Sequence, residues 1–272
     1  MSYATIMVHL DGGRPNGALL DITAAVARRQ GAAVIGIAAC QPVQLGAPSG
    51  YLDGEFAVIA RDVAAEELAR LAHEFHAHAG LAGLTREWRG LPTFANVAHA
   101  VADQARCADL IITGIGHVPS DVATHADTGA LVIHAGRPVL VVPENSTTAD
   151  FATVMIAWRN SRECRRAVAD ALPILHDATR IVLVTASDEP GAARHDLADV
   201  AAWLARHGID ADRVTTRPSG SDADSLAVMA DEQGADLIVA GAYGHGRIRE
   251  WVFGGVTGDL LLQARRCTML AH

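Results

Sequence analysis

The sequence is poor in the features that identify several large classes of protein. Only 4% of its 272 residues are aromatic, so its core must be built mainly from Ala, Val, Leu and Ile. No apolar run approaches the roughly twenty residues that a membrane-spanning helix needs, and the first residues lack the basic start of a secretory signal. With a formal charge of −9, the chain also lacks the basic surface that nucleic acids and anionic membranes require. We therefore expect a cytoplasmic protein whose partners are neither nucleic acids nor membranes.

Metal and disulfide motifs are also missing. The four cysteines, Cys40, Cys107, Cys164 and Cys267, are far apart and form no C-x-x-C unit, so we predict reduced thiols in or near the core. The histidines at 73, 76 and 78 come nearest to a metal motif. Positions 73 and 76 share a helix face, but 78 points elsewhere and no carboxylate completes a ligand set. We predict no metal site.

An internal repeat is the first positive feature of the chain. Residues 108–114 (ADLIITG) match residues 235–241 (ADLIVAG), an offset of 127. Residues 5–11 match residues 153–159 with an offset of 148. Since 148 − 127 = 21, we predict an insertion of that length in the first half, at residues 41–61.

Each half alternates short β-rich runs with helical patterns, which is typical of β-α-β units and a parallel sheet. We predict the α/β class, with two tandem doubly wound five-stranded parallel sheets of Rossmann-like type, in domains at residues 1–147 and 148–272. The predicted strands are 4–10, 32–38, 84–89, 108–113 and 137–142, then 153–158, 180–185, 212–216, 235–240 and 267–271. The predicted helices are 16–30, 56–79, 94–106 and 128–135, then 161–175, 192–207, 222–233 and 257–264.

A glycine-rich loop follows the fourth strand of the second half. Glycines occur at 241, 244, 246, 254 and 255, between this strand and the next predicted helix. Glycine lets backbone amides approach an anion closely, and a helix start adds unpaired N–H groups. Ligands of open α/β sheets bind beyond the carboxyl ends of the strands, where the winding direction reverses. The turn containing Asn160 ends at the same edge, so the sequence predicts a phosphate-binding crevice there.

The repeat and the loop resemble the universal stress protein family, over the whole chain as a tandem of two domains. The family's nucleotide motif is Gly, two residues, Gly, nine residues, Gly and then Ser or Thr. Here the three glycines are Gly241, Gly244 and Gly254, and the hydroxyl position holds Gly255. The resemblance implies that the second half binds ATP, or AMP or ADP, with Mg²⁺ accompanying the nucleotide.

The resemblance also implies roles for individual residues. Phosphates would contact Gly241, Gly244, Gly254, Gly255, Val256 and Thr257, and the base would lie near Ala157, Trp158 and Thr185, with Trp158 available to stack on it. Asn160 would face the ribose. Within the loop, Gly246 belongs to the backbone cradle, His245 is placed to hydrogen-bond a phosphate or donate a proton, and Arg247 supplies positive charge.

Three departures from the family pattern affect this expectation. Glycine at 255 removes a hydroxyl, a loss of about 0.5–1.5 kcal/mol for one hydrogen bond, which Thr257 partly replaces at the helix N-cap. The acidic residue common after the first strand is absent, because Arg159 and Asn160 stand there. In the first half, Gly116 falls one position early and Asp127 takes the place of Gly254, so a carboxylate would face the phosphates. The second half is therefore the predicted site.

Three functions follow as hypotheses. The first is a stress-response protein that binds an adenine nucleotide and uses its occupancy to set conformation or contacts with an unidentified protein partner. The second is a nucleotide-independent scaffold or chaperone-like protein. The third is a slow ATPase with His245 as the local acid–base group; no Walker lysine or Gly-x-Ser-x-Gly motif assigns other catalytic residues. We also expect the last strands of the two halves to pair as an intramolecular pseudo-dimer, with a homodimer as a further alternative.

Overall fold

A computed structural model of the chain describes residues 2–41, 54–116, 126–146, 149–218, 222–242 and 266–272. The first half contains five strands, β1 (Thr5–His9), β2 (Ala33–Cys40), β3 (Arg86–Pro92), β4 (Leu110–Gly114) and β5 (Val139–Val142). Its helices are α1 (Gly17–Gln30), α2 (Gly54–Ala77), α3 (Val97–Gln104) and α4 (Thr128–Ala135).

The second half repeats this order. Its strands are β6 (Thr153–Ala157), β7 (Arg180–Ala186), β8 (Asp212–Thr216), β9 (Leu237–Gly241) and β10 (Cys267–Ala271). Its helices in the described residues are α5 (Arg162–Asp177), α6 (Pro190–Arg206) and α7 (Asp222–Gln233). Every predicted strand is therefore present, and the predicted helix at 257–264 lies outside the described residues.

The ten strands form one continuous sheet, in the order β3-β2-β1-β4-β5-β10-β9-β6-β7-β8. All neighbours run parallel except β5 and β10, which pair antiparallel with Leu140 opposite Met269. Each half is thus a doubly wound five-stranded parallel sheet, and the two sheets join along their fifth strands. An antiparallel junction of equivalent strands is the arrangement that a local twofold axis produces. The predicted fold class and edge-to-edge junction are confirmed, while the predicted boundary between residues 147 and 148 lies outside the described residues.

The extra length of the first half is partly helical. Residues 42–53 of the predicted insertion lie outside the described residues, and residues 54–61 form the start of α2. This helix has 24 residues, whereas its counterpart α6 has 17.

The repeated Ala-Asp-Leu sequence has the same structural role in both halves. The carboxylate of Asp109 accepts the backbone N–H of Thr5 at 3.0 Å, and that of Asp236 accepts the N–H of Thr153 at 2.9 Å. The backbone N–H of each aspartate donates in return to the carbonyl of the same threonine. Each aspartate therefore joins the start of the fourth strand to the start of the first.

The two halves also bury surface against each other. The face covered by α1, α2, α5 and α6 contains a single apolar core that runs across the β5–β10 junction. Within it, the Tyr3 hydroxyl donates to the Asp170 carbonyl of α5 at 2.6 Å. Burial, followed by the carboxylates of Asp170 and Asp109, raises the pKa of Tyr3 well above its usual value. The amide of Gln30 donates to the Asp177 carboxylate at 2.7 Å, so α1 and α5 are also linked by polar contacts.

Candidate functional site

The candidate site lies at the carboxyl ends of β6 and β9. These strands are parallel neighbours, with Ala157 opposite Ala240. The chain continues from β6 toward β7 on one side, and from β9 toward β10 on the other. The winding direction therefore reverses between them, which is where open α/β sheets bind their ligands.

Gly241 brings the end of β9 against the first turn of α5. A Cβ atom at this position would lie 2.4 Å from the Cys164 nitrogen and 2.7 Å from the Glu163 carbonyl carbon. Both are backbone atoms, so no rotamer change would relieve the overlap. Glycine is therefore required here for close approach, and the N-terminus of α5 lies directly beside the strand end from which the glycine-rich loop begins.

The start of α5 is well capped. Ser161 is the N-cap residue, and its hydroxyl accepts the backbone N–H of Cys164 at 3.2 Å. The Cys164 thiol donates to the Ala157 carbonyl at 3.4 Å, which links the helix to the end of β6. These contacts fix the turn between β6 and α5 at the edge of the crevice.

Glu163 was missed by the sequence reasoning. Its side chain is only 3% exposed and lies in the first turn of α5, a few residues beyond the position expected to be acidic. Burial opposes its ionisation, but hydrogen bonds from its own backbone N–H and from Arg162 and Ser161 outweigh burial and lower the pKa of Glu163. The Arg162 Nε lies 2.9 Å from the carboxylate. The signal in the sequence was the acidic residue that follows a serine N-cap.

The structure places the sequence-predicted residues of the two strand ends as follows. Ala157 ends β6 and is half-buried, Thr185 is half-buried on β7, and Asn160 is exposed in the turn before α5. The side chain of Trp158 is buried on the face covered by α5 and α6, and its indole N–H has no hydrogen-bond partner among the described residues. The remaining predicted residues lie outside the described part of the chain: Gly244, His245, Gly246, Arg247, Gly254, Gly255, Val256 and Thr257.

The start of the loop is tied to the last strand. The backbone N–H of Ala242 donates to the Ala271 carbonyl at 2.8 Å, and the Ala242 carbonyl lies 3.2 Å from the His272 Nδ1. The β9–β10 ladder therefore continues one residue beyond Gly241. Because β10 also pairs with β5, the loop starts one strand away from the junction of the two halves.

The equivalent crevice of the first half is filled by the chain's own side chains. It lies among the ends of β1, β4 and β5. The guanidinium of Arg14 occupies this space, where it donates to the Ile115 carbonyl and lies 3.5 Å from the Glu144 carboxylate. The first-half loop is also closed at its base, because the Gly116 N–H donates to the Thr128 hydroxyl at 2.7 Å.

Asp127, which stands in the place of Gly254, caps α4. Its carboxylate accepts the Ala130 N–H at 2.6 Å. A helix N-terminus attracts an anion through its unpaired N–H groups and its dipole. In the first half, that anion is a side chain of the protein itself.

No group of three or more His, Cys, Asp and Glu side chains in the described residues is arranged to hold a metal ion. The four thiols are free, with Cys107 exposed and the other three buried. None of the helices in the described part of the chain is long and apolar enough to cross a membrane.

The fold and crevice define a tandem, doubly wound α/β protein with one switch point per half. Residues 150–271 match the Universal stress protein family, so the second half is a domain of that family. The crystal structure of a universal stress protein from Archaeoglobus fulgidus DSM 4304 shares 15% sequence identity with this chain. The two structures align over 98% of this chain and 95% of the Archaeoglobus chain, with a TM-score of 0.71. The predicted resemblance is confirmed, and the tandem fold extends over both halves.

Two further structures complete the comparison. A functionally unknown protein from Pseudomonas aeruginosa PAO1 shares 16% identity and covers 99% of this chain and 92% of its own, with a TM-score of 0.60. A universal stress protein from Archaeoglobus fulgidus in complex with dAMP shares 19% identity and covers 52% of this chain and 98% of its own, with a TM-score of 0.31. No curated protein sequence matches the chain.

Proposed function

We propose that the second half binds an adenine nucleotide, ATP or its products AMP and ADP, in the crevice between β6 and β9. The proposal rests on one observation above all. Gly241 ends β9 in contact with the first turn of α5, at the switch point of a universal stress protein domain. In this proposal the phosphates lie on the loop that begins at Gly241, with Mg²⁺ as their counter-ion.

The contrast between the two crevices supports a single nucleotide site. In the first half, Arg14 fills the crevice and Asp127 caps the helix that would face the phosphates. A triphosphate would have to displace the first and approach the second, at a cost in lost contacts and like-charge repulsion. In the second half, β6 and β9 end at Ala157 and Gly241, neither of which carries a charged side chain.

The base and ribose would lie over the turn between β6 and α5. Asn160 is exposed there and offers both a donor and an acceptor. The side chain of Trp158 is buried on the face covered by α5 and α6. In this proposal Trp158 therefore contributes its backbone at the end of β6, and its indole does not stack on the base.

We further propose that occupancy regulates contacts between this protein and a partner protein in the cytoplasm, as a stress-response module. The loop starts one strand from the β5–β10 junction, through the hydrogen bond from Ala242 to Ala271. A nucleotide bound by the loop would therefore act next to the junction between the halves. This position supports a regulatory module more than a slow ATPase, which would require His245 as its acid–base group.

A nucleotide-independent scaffold is the second candidate, and Glu163 favours it. Its carboxylate is buried in the first turn of α5 and already receives hydrogen bonds from that turn. The helix start beside Gly241 is therefore partly neutralised without a ligand. In this alternative the loop serves packing alone.

Isothermal titration of the full chain with ATP and Mg²⁺ separates the two candidates. We expect saturable binding, which Gly244→Asp abolishes by placing bulk and negative charge in the phosphate cradle. The control is Gly114→Asp, which adds the same side chain at the end of β4 in the first half, where an added Cβ meets nothing within 4 Å. Nucleotide binding that is lost in the control but kept in Gly244→Asp would contradict the assignment to the second half. Heat indistinguishable from dilution at millimolar ATP would support the scaffold.

A further inference from the structure

A cavity of about 420 Å³ lies between α5 and α6. Volumes of this order are typical of sites for small organic molecules. Helix α6 buries Leu197 and Leu204 in the core, and the corresponding helix of the first half, α2, buries Leu68, Leu71 and Phe75 there.

The walls of this cavity combine two indoles with two aliphatic side chains. Trp158 comes from the end of β6 and Trp203 from α6, while Val168 and Val200 come from α5 and α6. The chain has only four tryptophans, so two of them in one cavity represent a strong concentration of aromatic surface. Indole faces attract both planar apolar groups and cations.

The charged residues that line the cavity favour a cation. Asp196 and Asp199 lie on α6, and Arg165 lies on α5. The Nε of Arg165 donates to the Ser161 carbonyl at 3.1 Å, whereas the Asp199 carboxylate is 3.8 Å from the largely exposed His195. The lining thus carries two carboxylates against one guanidinium, in a chain whose formal charge is −9.

We propose that this cavity binds a small organic cation with an aromatic body, such as an arylalkyl ammonium. The aromatic body would lie against Trp158 and Trp203, and the ammonium group would face Asp196 and Asp199. The site adjoins the proposed nucleotide crevice, because Asn160 of the turn between β6 and α5 also lines it, but its indoles and carboxylates lie on the side of α5 and α6. Binding of an organic probe is measured without nucleotide, so this inference can be tested apart from the proposed function.

Three probes of similar size and different charge test the proposal: phenethylammonium, the neutral 2-phenylethanol and the anionic phenylacetate. Isothermal titration of the full chain should give saturable binding of one phenethylammonium per chain. A single desolvated cation–indole contact corresponds to about tenfold or more in affinity, so we expect 2-phenylethanol to bind about tenfold more weakly, and phenylacetate more weakly still. Equal binding of all three probes, or no saturable binding of the cation at millimolar concentration, would overturn the proposal.

Two variants and a control locate the site. Asp196→Asn with Asp199→Asn should weaken phenethylammonium by about fivefold or more while leaving 2-phenylethanol unchanged, because only the cation interacts with the charge. Asp210→Asn, an exposed change just beyond α6 that does not line the cavity, should change neither. Trp203→Leu should weaken both probes. Cation affinity unaffected by the paired Asp changes would refute the assigned orientation.

Saturating ATP provides the last arm of the test. We expect the dissociation constant of phenethylammonium to be the same with and without the nucleotide. Displacement of the cation by ATP would overturn the claim of a separate site, and would show that the nucleotide itself enters the cavity. If ATP gives no heat of its own, the proposed function fails while the probe series still decides this inference.

Discussion

Gly241→Ala, compared with Gly114→Ala, tests the close approach on which the candidate crevice depends. The two glycines are equivalent in the repeat and each ends the fourth strand of its half. At Gly241 an added Cβ would lie 2.4 Å from the Cys164 nitrogen, and at Gly114 it would meet nothing within 4 Å. The same substitution is thus compared in two single variants of the chain. In one the added methyl group meets a helix backbone, and in the other it enters open space.

The expected changes in the free energy of unfolding differ between the two variants in sign as well as in size. Overpacking a close-packed contact costs about 1–3 kcal/mol, and at Gly241 the full cost applies because the neighbouring atoms are backbone. At Gly114, removal of glycine's freedom in the unfolded chain should stabilise the protein by about 0.4–1 kcal/mol. We expect the free energies of unfolding of the two variants to differ by about 2 kcal/mol or more.

Urea denaturation of the full chain, followed by circular dichroism, provides the measurement. The midpoint should fall for Gly241→Ala and stay level or rise for Gly114→Ala, with unchanged slopes. Free energies of unfolding that agree within 0.5 kcal/mol between the two variants would refute the reasoning, since α5 would then move away from the added methyl group at no cost. Such a result would also weaken the argument that this helix start forms a fixed wall of the crevice.

Three further predictions concern the described parts of the two halves. Tyr3→Phe should lower the free energy of unfolding by about 1 kcal/mol through loss of the hydrogen bond to Asp170. Because the folded-state pKa of Tyr3 is raised, its stabilising contribution is complete below the unfolded value of about 10 and is lost as the pH rises beyond it. Wild type should therefore lose stability above pH ~10 more steeply than Tyr3→Phe in parallel denaturant titrations. Asp236→Ala should cost about 1.5–3 kcal/mol by calorimetry, because Thr153 loses a charged acceptor, and an effect below 0.5 kcal/mol would contradict that role. In a thiol-reagent assay on the native protein, Cys107 should react first, since the other three thiols are buried; rapid reaction of a second thiol would contradict the burial.

The strands and their order were predictable because the signals behind them are local or repeated. Parallel strands buried on both faces consist of continuous apolar residues, and such runs mark β4 and β9 in matching sequences. The repeat also placed Asp109 and Asp236 at equivalent positions, where both turned out to join two strands. The junction of β5 and β10 followed from the need to cover two apolar sheet edges.

The details of both crevices could not be predicted, because they depend on side chains that are distant in sequence. Arg14 fills the first crevice only because Ile115, about a hundred residues later, presents its carbonyl there. Glu163 is buried in the first turn of α5, where Gly241 lets that helix approach β9 closely, and no local pattern in the sequence indicates this contact. The cavity between α5 and α6 depends on the spacing of two helices, which no local pattern encodes.

The asymmetry of the two crevices follows from what holds the halves together. The β5–β10 junction consists of backbone hydrogen bonds, and the aspartates at the strand starts also bind backbone groups. Contacts of this kind tolerate wide change in the side chains at the opposite ends of the strands. The first crevice was therefore free to acquire Arg14 and Asp127. Their guanidinium and carboxylate take the places that a bound cation and a bound anion would otherwise occupy. The other crevice combines Gly241, which lets α5 pack against the end of β9, with the glycine-rich loop that follows it. A single ligand site in a pseudo-symmetric chain is the arrangement that this divergence favours.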